Sequence, residues 1–272
     1  MMKDSLWKIQ KYGAFTIFFI ILSFFLIMAL IVPIFNVILQ EDFARILNAI
    51  FTDYVGAAII TSFYCAFLAM MIAFCFGIPL AYLLARYNFP GKNVIDSLID
   101  LPVLIPHSVA GILLLAIYGQ SGLYGQLFSN INVSFTDTPW GIIIAMFFVS
   151  GPFLIKEARD AFEMVNPNFE KAARTLGASR SKTFLTVTMP IASRGIYTGC
   201  ILCWARGISE FGAVYILAST PPIGSTLIYH QFLGSGLEGA RPIAISLILI
   251  TFIVLIILKL AQGKPKPIFK VI

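Results

Sequence analysis

The sequence predicts an all-α polytopic membrane protein with six transmembrane helices and both termini on the cytoplasmic side. Three observations lead there. Hydrophobic residues make up 59% of the 272 residues and charged residues 12%, against about 45–50% and 25% in soluble globular chains. Six windows are apolar enough to cross a bilayer, a task that takes about 20 residues of helix. The basic residues are also distributed one-sidedly. The same composition excludes disorder, a collagen-like repeat and an extracellular disulfide scaffold.

The windows are 12–40, 54–85, 101–118, 139–155, 195–218 and 242–258. The first two carry no Asp, Glu, Lys or Arg. The first lacks an Ala-x-Ala cleavage signal after it, so it is expected to be a retained helix. The third extends upstream through Val94, Ile95, Leu98 and Ile99. Pro102 and Pro106 are expected to break up its start, as Gly77 and Pro79 are at the end of the second window, in places where freed backbone groups are satisfied inside the bundle or line a cavity. The fifth holds Arg206 and Glu210 near its middle, one helical turn apart. Each charge costs about 2.5–3.5 kcal/mol to bury there on insertion scales. Arg before Glu is the less favourable order for a local pair, so partners elsewhere in the bundle or in a symmetry mate are expected.

Orientation follows from the cations. With the N-terminus inside, sixteen of the 19 Lys and Arg residues fall on inner segments, seven of them between Lys156 and Arg194. Only Arg45 and Arg241 fall outside, and Arg206 lies within a span. Positive charge marks the cytoplasmic side. The outer loop 120–138 is polar and turn-rich, and the loop 219–240, with Pro221, Pro222 and several glycines, is expected to be irregular or re-entrant.

Several motifs are better read as structure. Gly234 to Gly239 matches G-x-G-x-x-G, but it lies between two membrane windows with no strand before it. Gly91-Lys92 and Gly263-Lys264 lack the glycine spacing and the Ser or Thr of a P-loop, so the chain itself is not expected to bind ATP. Asn132-Val133-Ser134 is a glycosylation triplet of a kind common by chance. Cys65, Cys75, Cys200 and Cys203 lie in apolar runs and read as packing residues. His107 and His230 have no ligand-spaced carboxylates, so no metal site is expected, and no catalytic set is visible. The net charge of +6 is accounted for by the cytoplasmic side, not by nucleic acid.

The longest inner segment is patterned. Asn166-Pro167-Asn168 is a helix start. Phe169, Ala172, Ala173 and Leu176 then form one apolar stripe, with Glu170, Lys171, Arg174 and Thr175 on the other faces. Gly177 stands where a helix end needs positive φ. Arg180 and Lys182 follow, then Phe184, Leu185, Val187 and Pro190. This describes two short helices joined at Gly177 and lying under the membrane; by composition alone it equally describes an amphipathic helix resting on lipid.

Lys171-Ala172-Ala173-x-x-x-Gly177, nine residues, then Val187-Thr188-Met189-Pro190 resembles the EAA loop of ABC importer membrane subunits. That pattern reads Glu-Ala-Ala, three residues, Gly, nine residues, Ile-x-Leu-Pro. The spacing agrees throughout, while Lys171 stands in place of the Glu, with Glu170 one residue early. The resemblance implies a coupling helix that docks on a cytoplasmic ATPase. It makes Phe169, Glu170, Lys171, Ala172, Ala173, Arg174, Leu176, Gly177, Arg180 and Pro190 the coupling residues. Leu101-Pro102-x-x-x-Pro106-x-x-Val109-x-Gly111 and the run from Arg206 to Val214 look like the molybdate/tungstate and sulfate permeases, nearer the molybdate/tungstate branch. Pro102, Pro106, Ser108, Gly111, Arg206, Ser209, Glu210, Phe211 and Gly212 are therefore the pathway or gate candidates. For Arg206 and Glu210 a buried bridge that fixes packing is favoured over direct contact with an anion, since a permanently exposed Arg would trap what an importer must release.

The resemblance implies a type I ABC importer transmembrane fold in the plasma membrane. Residues 1–53 would form a cytoplasmic N-terminus, first helix and outer loop; 54–260 the transmembrane domain with its coupling loop at 166–190; and 261–272 a basic cytoplasmic tail. Two copies would form the pathway, with two ATPase subunits supplying ATP and Mg sites and an extracytoplasmic oxyanion-binding protein delivering molybdate or tungstate. The chain would carry no cofactor, catalyse nothing and bind no nucleic acid. The alternatives are a sulfate/thiosulfate importer permease and a stand-alone secondary carrier or channel. A carrier needs titratable coupling residues in the spans, where only Arg206 and Glu210 offer any.

Overall fold

A computed structural model describes residues 13–262. The expected basic N-terminus with Lys3, Lys8 and Lys11 lies outside those residues, as does nearly all of the tail 261–272. The regular structure of the described residues is all helical, with no strand among them. They form two compact units, one ending at Asn48 and the other beginning at Ala49. The first unit holds α1 (Ala14–Leu39), which fills the first predicted window, and most of α2 (Phe43–Phe51).

In the second unit, α3 (Asp53–Arg86) runs unbroken through Gly77 and Pro79, against the expected interruption. Pro79 lies well inside this 34-residue helix, with helical residues on both sides of it. Next come α4 (Lys92–Leu104) and α5 (His107–Tyr118), bent by 111° at their junction. Of the two prolines expected to interrupt this window, only Pro106 does. Pro102 lies buried inside α4, while Ile105 before Pro106 is extended at φ −78°, ψ 146°, as a residue preceding proline must be. A short α6 (Leu123–Ser129) occupies the polar loop, followed by α7 (Pro139–Met164). Asp137, at the end of that loop, accepts hydrogen bonds from Ser219 Oγ at 3.1 Å and Thr220 N at 3.3 Å.

After α7 come α8 (Pro167–Thr175), α9 (Arg180–Thr183), a π turn (Phe184–Thr188), α10 (Met189–Ile208), α11 (Gly212–Leu217) and α12 (Gly224–Ala261). The fifth window is thus two helices with a break at 209–211, not one continuous helix. The loop expected at 219–240 is helical from Gly224 onward. Its glycines, including the G-x-G-x-x-G run, lie along α12, which kinks at Gly236 with φ +65° and ψ −157°. That conformation is open to glycine and closed to other residues, so the turn signal marked a kink between two helical pieces. Among the described residues, four helices are long and apolar enough to cross a membrane, or five if the bent α4–α5 pair counts as one.

Small residues set how closely the core helices approach. α3, α7 and α10 pack on one another, and α5 packs on α11. Ala69, Ala73, Gly77 and Ala81 recur every fourth residue on the buried face of α3, the spacing that lets backbones meet where lipid offers no hydrophobic contrast. Ala192, Ile196, Gly199, Cys203 and Gly207 form the equivalent buried line on α10. A Cβ at Gly199 would lie 2.9 Å from Glu157 Cβ and 3.3 Å from Leu154 Cα. Gly199→Leu is accordingly expected to destabilise the protein by about 1–3 kcal/mol, the range for overpacking a tight contact, read as a lower melting midpoint in detergent. Gly234→Leu, where a Cβ meets nothing within 4 Å, should leave the midpoint in place. Equal midpoints for the two variants would contradict this packing.

Candidate functional site: a helical hairpin and two facing helix breaks

The hairpin at 166–190 is built by local chemistry. The Asn166 side chain accepts from Asn168 N at 2.9 Å, and Pro167 takes the first helical position. At the far end of α8, Gly177 N donates to Arg174 O at 3.0 Å and Ala178 N to Ala173 O at 3.1 Å. This closure requires the left-handed φ of +88° at Gly177. Ser179 restarts the chain as a helix, its Oγ accepting from Lys182 N. The second helix is not separate, contrary to the sequence expectation. α9 continues through the π turn, where Met189 N reaches back to Phe184 O, into α10 with Pro190 in its first turn. Pro190 has no N–H for the carbonyl one α-turn back, so a regular helix would have had a gap at the same place.

Glu170 points inward. Its Oε1 accepts from Arg86 Nε at 2.9 Å and from Thr188 Oγ at 2.8 Å, while Arg86 Nη2 donates to Val165 O at 2.9 Å. The Arg86 and Glu170 side chains are 10% and 15% exposed. One buried ion pair thus ties together the end of α3, the end of α7, the middle of α8 and the π turn. The other coupling candidates are placed differently. Phe169, Lys171, Ala172, Arg174, Leu176, Gly177, Arg180 and Pro190 are exposed and Ala173 is half-buried; Leu176 is 89% exposed. The apolar stripe expected on α8 therefore faces outward beside basic side chains. Nearby, Arg159 pairs with Asp96 at 2.7 Å and Glu163 at 2.8 Å, and Lys156 with Asp100 at 2.5 Å, fastening α4 to α7. The sequence marked Lys156 and Arg159 only as inner-side cations.

The second site is the meeting of two breaks. Arg206 closes the last turn of α10, and Glu210 lies in the non-helical link before α11. Arg206 Nη2 is 3.0 Å from Glu210 Oε2, so the two pair locally, and a partner from elsewhere in the bundle, His107, joins them as expected from their order. The order was unfavourable only for one continuous helix. With the helix broken, the cation sits at a C-terminal end and the carboxylate at an N-terminal one, where its Oε1 accepts from Ala213 N at 3.0 Å. Ser225 Oγ donates to Glu210 O at 2.5 Å. Glu210 is 1% exposed and Arg206, by side chain, 22%.

His107 completes the group, its Nε2 2.7 Å from Arg206 Nη2 and its Nδ1 3.8 Å from Glu210 Oε2. Its own stretch offered it only as one of two polar groups, with Ser108, neither of them diagnostic. The available signal was that a mid-membrane Arg and Glu need polar neighbours, and the Pro-broken start of α5 is where one is found. Of the other pathway candidates, Gly212 rests against the α5 start, where a Cβ would meet His107 Cβ at 3.0 Å and Ser108 N at 3.2 Å. A Cβ on Gly111 would meet Ile216 Cβ at 2.8 Å. Ser209 and Ser108 are exposed, and Ser209 Oγ lies 3.3 Å from Arg206 Nη1. Phe211 stacks on Tyr215, with ring centres 5.4 Å apart. The stretches around Pro106–Gly111 and Arg206–Val214 are therefore brought together, while Pro102 stays inside α4.

The family described as binding-protein-dependent transport system inner membrane component matches residues 77–264. The molybdate/tungstate transport system permease protein WtpB of Thermococcus kodakarensis is 40% identical over 248 residues, covering 90% of this chain and 95% of that protein. The sulfate transport system permease protein CysT of Salmonella typhimurium is 34% identical over 197 residues, covering 71% of each. Among solved structures, a chain of a bacterial ABC transporter involved in the import of the acidic polysaccharide alginate superposes with a TM-score of 0.73. It is 17% identical and covers 95% of this chain and 98% of that one, a likeness of fold.

Proposed function

The chain belongs to the family of binding-protein-dependent transport system inner membrane components, and from that premise we propose that it is the permease subunit of an ATP-driven importer of molybdate or tungstate. The observation that carries the anion is coverage: the likeness to the molybdate/tungstate permease of Thermococcus kodakarensis extends over 90% of the chain, and that to the sulfate permease of Salmonella typhimurium over 71%.

The permease crosses the plasma membrane six times, the broken α10–α11 pair counting as one crossing, with both termini in the cytoplasm. Two copies enclose the pathway. The outward stripe of Phe169, Ala172 and Leu176 docks on a cytoplasmic ATPase, which binds ATP and Mg and performs the hydrolysis. Leu176, 89% exposed on a short helix held from behind by Glu170, supports that docking. An extracytoplasmic protein delivers the anion, a reading supported by the solved alginate transporter in complex with its periplasmic protein.

Reconstitution in liposomes with the ATPase and the binding protein tests this reading. ATP-dependent uptake of molybdate and tungstate is expected, with sulfate carried far less well. Sulfate uptake of equal efficiency would move the chain to the sulfate branch, and uptake without the ATPase would make it a carrier.

A further inference from the structure

Resting on the importer reading, we propose that Arg206, with His107 and Ser209 beside it, is a transient contact for the translocated oxyanion, and that the Glu210 carboxylate is a built-in competitor that keeps this contact weak. The chemistry starts from the guanidinium. It presents five N–H donors in a planar fork suited to two oxygens of a tetrahedral anion. Arg206 spends Nη2 on His107 and Glu210 and aims Nη1 at Ser209 Oγ. Its side chain stays 22% exposed, whereas Glu210 is 1% exposed. The cation is reachable and its counter-ion is not.

Glu210 is held by more than its charge. Oε1 takes the Ala213 N–H and its backbone oxygen takes Ser225 Oγ, so the carboxylate is tied to the start of α11 and its backbone to α12. Oε2 is buried and has no well-formed hydrogen bond, only the charge contact. The guanidinium only donates, so it meets an acceptor nitrogen of His107, with Nε2 2.7 Å and Nδ1 3.4 Å from Arg206 Nη2, and Nδ1 lies 3.8 Å from Glu210 Oε2. His107 itself opens α5, so the positive end of that helix lies beside the pair. The pair is neutral at rest, so an arriving dianion meets an Arg whose charge is already compensated. It is attracted by the fork and the helix end and opposed by the fixed carboxylate. The result is a contact that orients the anion without retaining it.

The test is tungstate binding by the detergent-solubilised permease–ATPase complex with no binding protein present, followed by equilibrium dialysis. The wild-type complex should retain little. Glu210→Gln keeps an acceptor for Ala213 N and removes the competing charge, so retention should tighten by roughly tenfold or more, given the coupling measured for close charge pairs. Uptake by the same variant should show a lower KM and a lower kcat, a split that mere loss of packing does not produce. The double variant Arg206→Gln/Glu210→Gln should lose the gained retention. Should Glu210→Gln fail to assemble, Glu210→Asp, which withdraws the carboxylate by one methylene, replaces it with the same expected direction. Unchanged retention in the Glu210 variant, or retention that survives in the double variant, overturns the proposal. If wild-type complex carries no oxyanion at all, the importer reading fails and this one with it; wild-type uptake with no gain in the Glu210 variant sinks this proposal alone.

Discussion

Glu170→Ala is expected to abolish ATP-driven uptake and to lower the melting midpoint of the permease. Arg86 is left behind as a nearly buried cation, still bonded to Val165 O but without its counter-charge. Breaking one side of a buried ion pair costs about 3–5 kcal/mol, mostly for the charge left unpaired. Thr188 Oγ loses its acceptor in the same step. On the proposed docking of α8 against the ATPase, the consequence is larger for coupling than for stability. This oxygen is where α8 is fastened to α3 and to the π turn that feeds α10. A docking helix that is free to move cannot pull on the helices behind it.

The double variant Arg86→Met/Glu170→Met separates the two effects. It removes both charges, so it should recover most of the midpoint while uptake stays low, with the ATPase turning over but no longer linked to transport. Midpoint and uptake recovering together would reduce the pair to a packing element. Uptake unaffected by Glu170→Ala would show that the fastening plays no part in coupling.

The windows were readable because spans obey one strong rule: the backbone must satisfy itself, so long apolar runs become helices. α1, α3 and α7 lie where hydropathy put them, and the hairpin was visible from its Asn166 start and its Gly177 stop. Pattern could not rank the breaks. Pro79, Pro102 and Pro106 look alike in sequence, yet only Pro106 ends a helix, because the neighbouring helices decide whether the freed carbonyl finds a partner. Glycine-rich 234–239 read as a loop, although a single positive φ at Gly236 was all the chain required there. Glu170 was taken for an outward contact from its place in a motif. Its inward turn depends on Arg86, 84 residues away, a pairing that periodicity does not encode. His107 stood out no more than Ser108 beside it, for the same reason: its partners lie beyond its own helix.

Gly177→Val should stop uptake with little change in the melting midpoint of the membrane bundle. A Cβ at Gly177 would meet nothing within 4 Å, so the substitution meets no steric obstacle from neighbouring residues, only from its own backbone. At φ +88° a β-branched residue is strained, by about 1–2 kcal/mol or more on the scale for left-handed residues other than glycine. The chain relieves this most readily by leaving that conformation, which unmakes the Gly177 N to Arg174 O and Ala178 N to Ala173 O bonds that end α8. Leu176, the most exposed apolar residue of the stripe, then turns with them. Gly177→Asn, which tolerates positive φ, should keep most of the uptake. The measurement is ATP-dependent tungstate uptake beside substrate-stimulated ATP hydrolysis in the reconstituted complex. Val and Asn behaving alike would mean that the conformation at this corner is irrelevant to coupling. Loss in Val with uptake preserved in Asn would trace the loss to backbone conformation, since the two variants differ chiefly in their tolerance of positive φ.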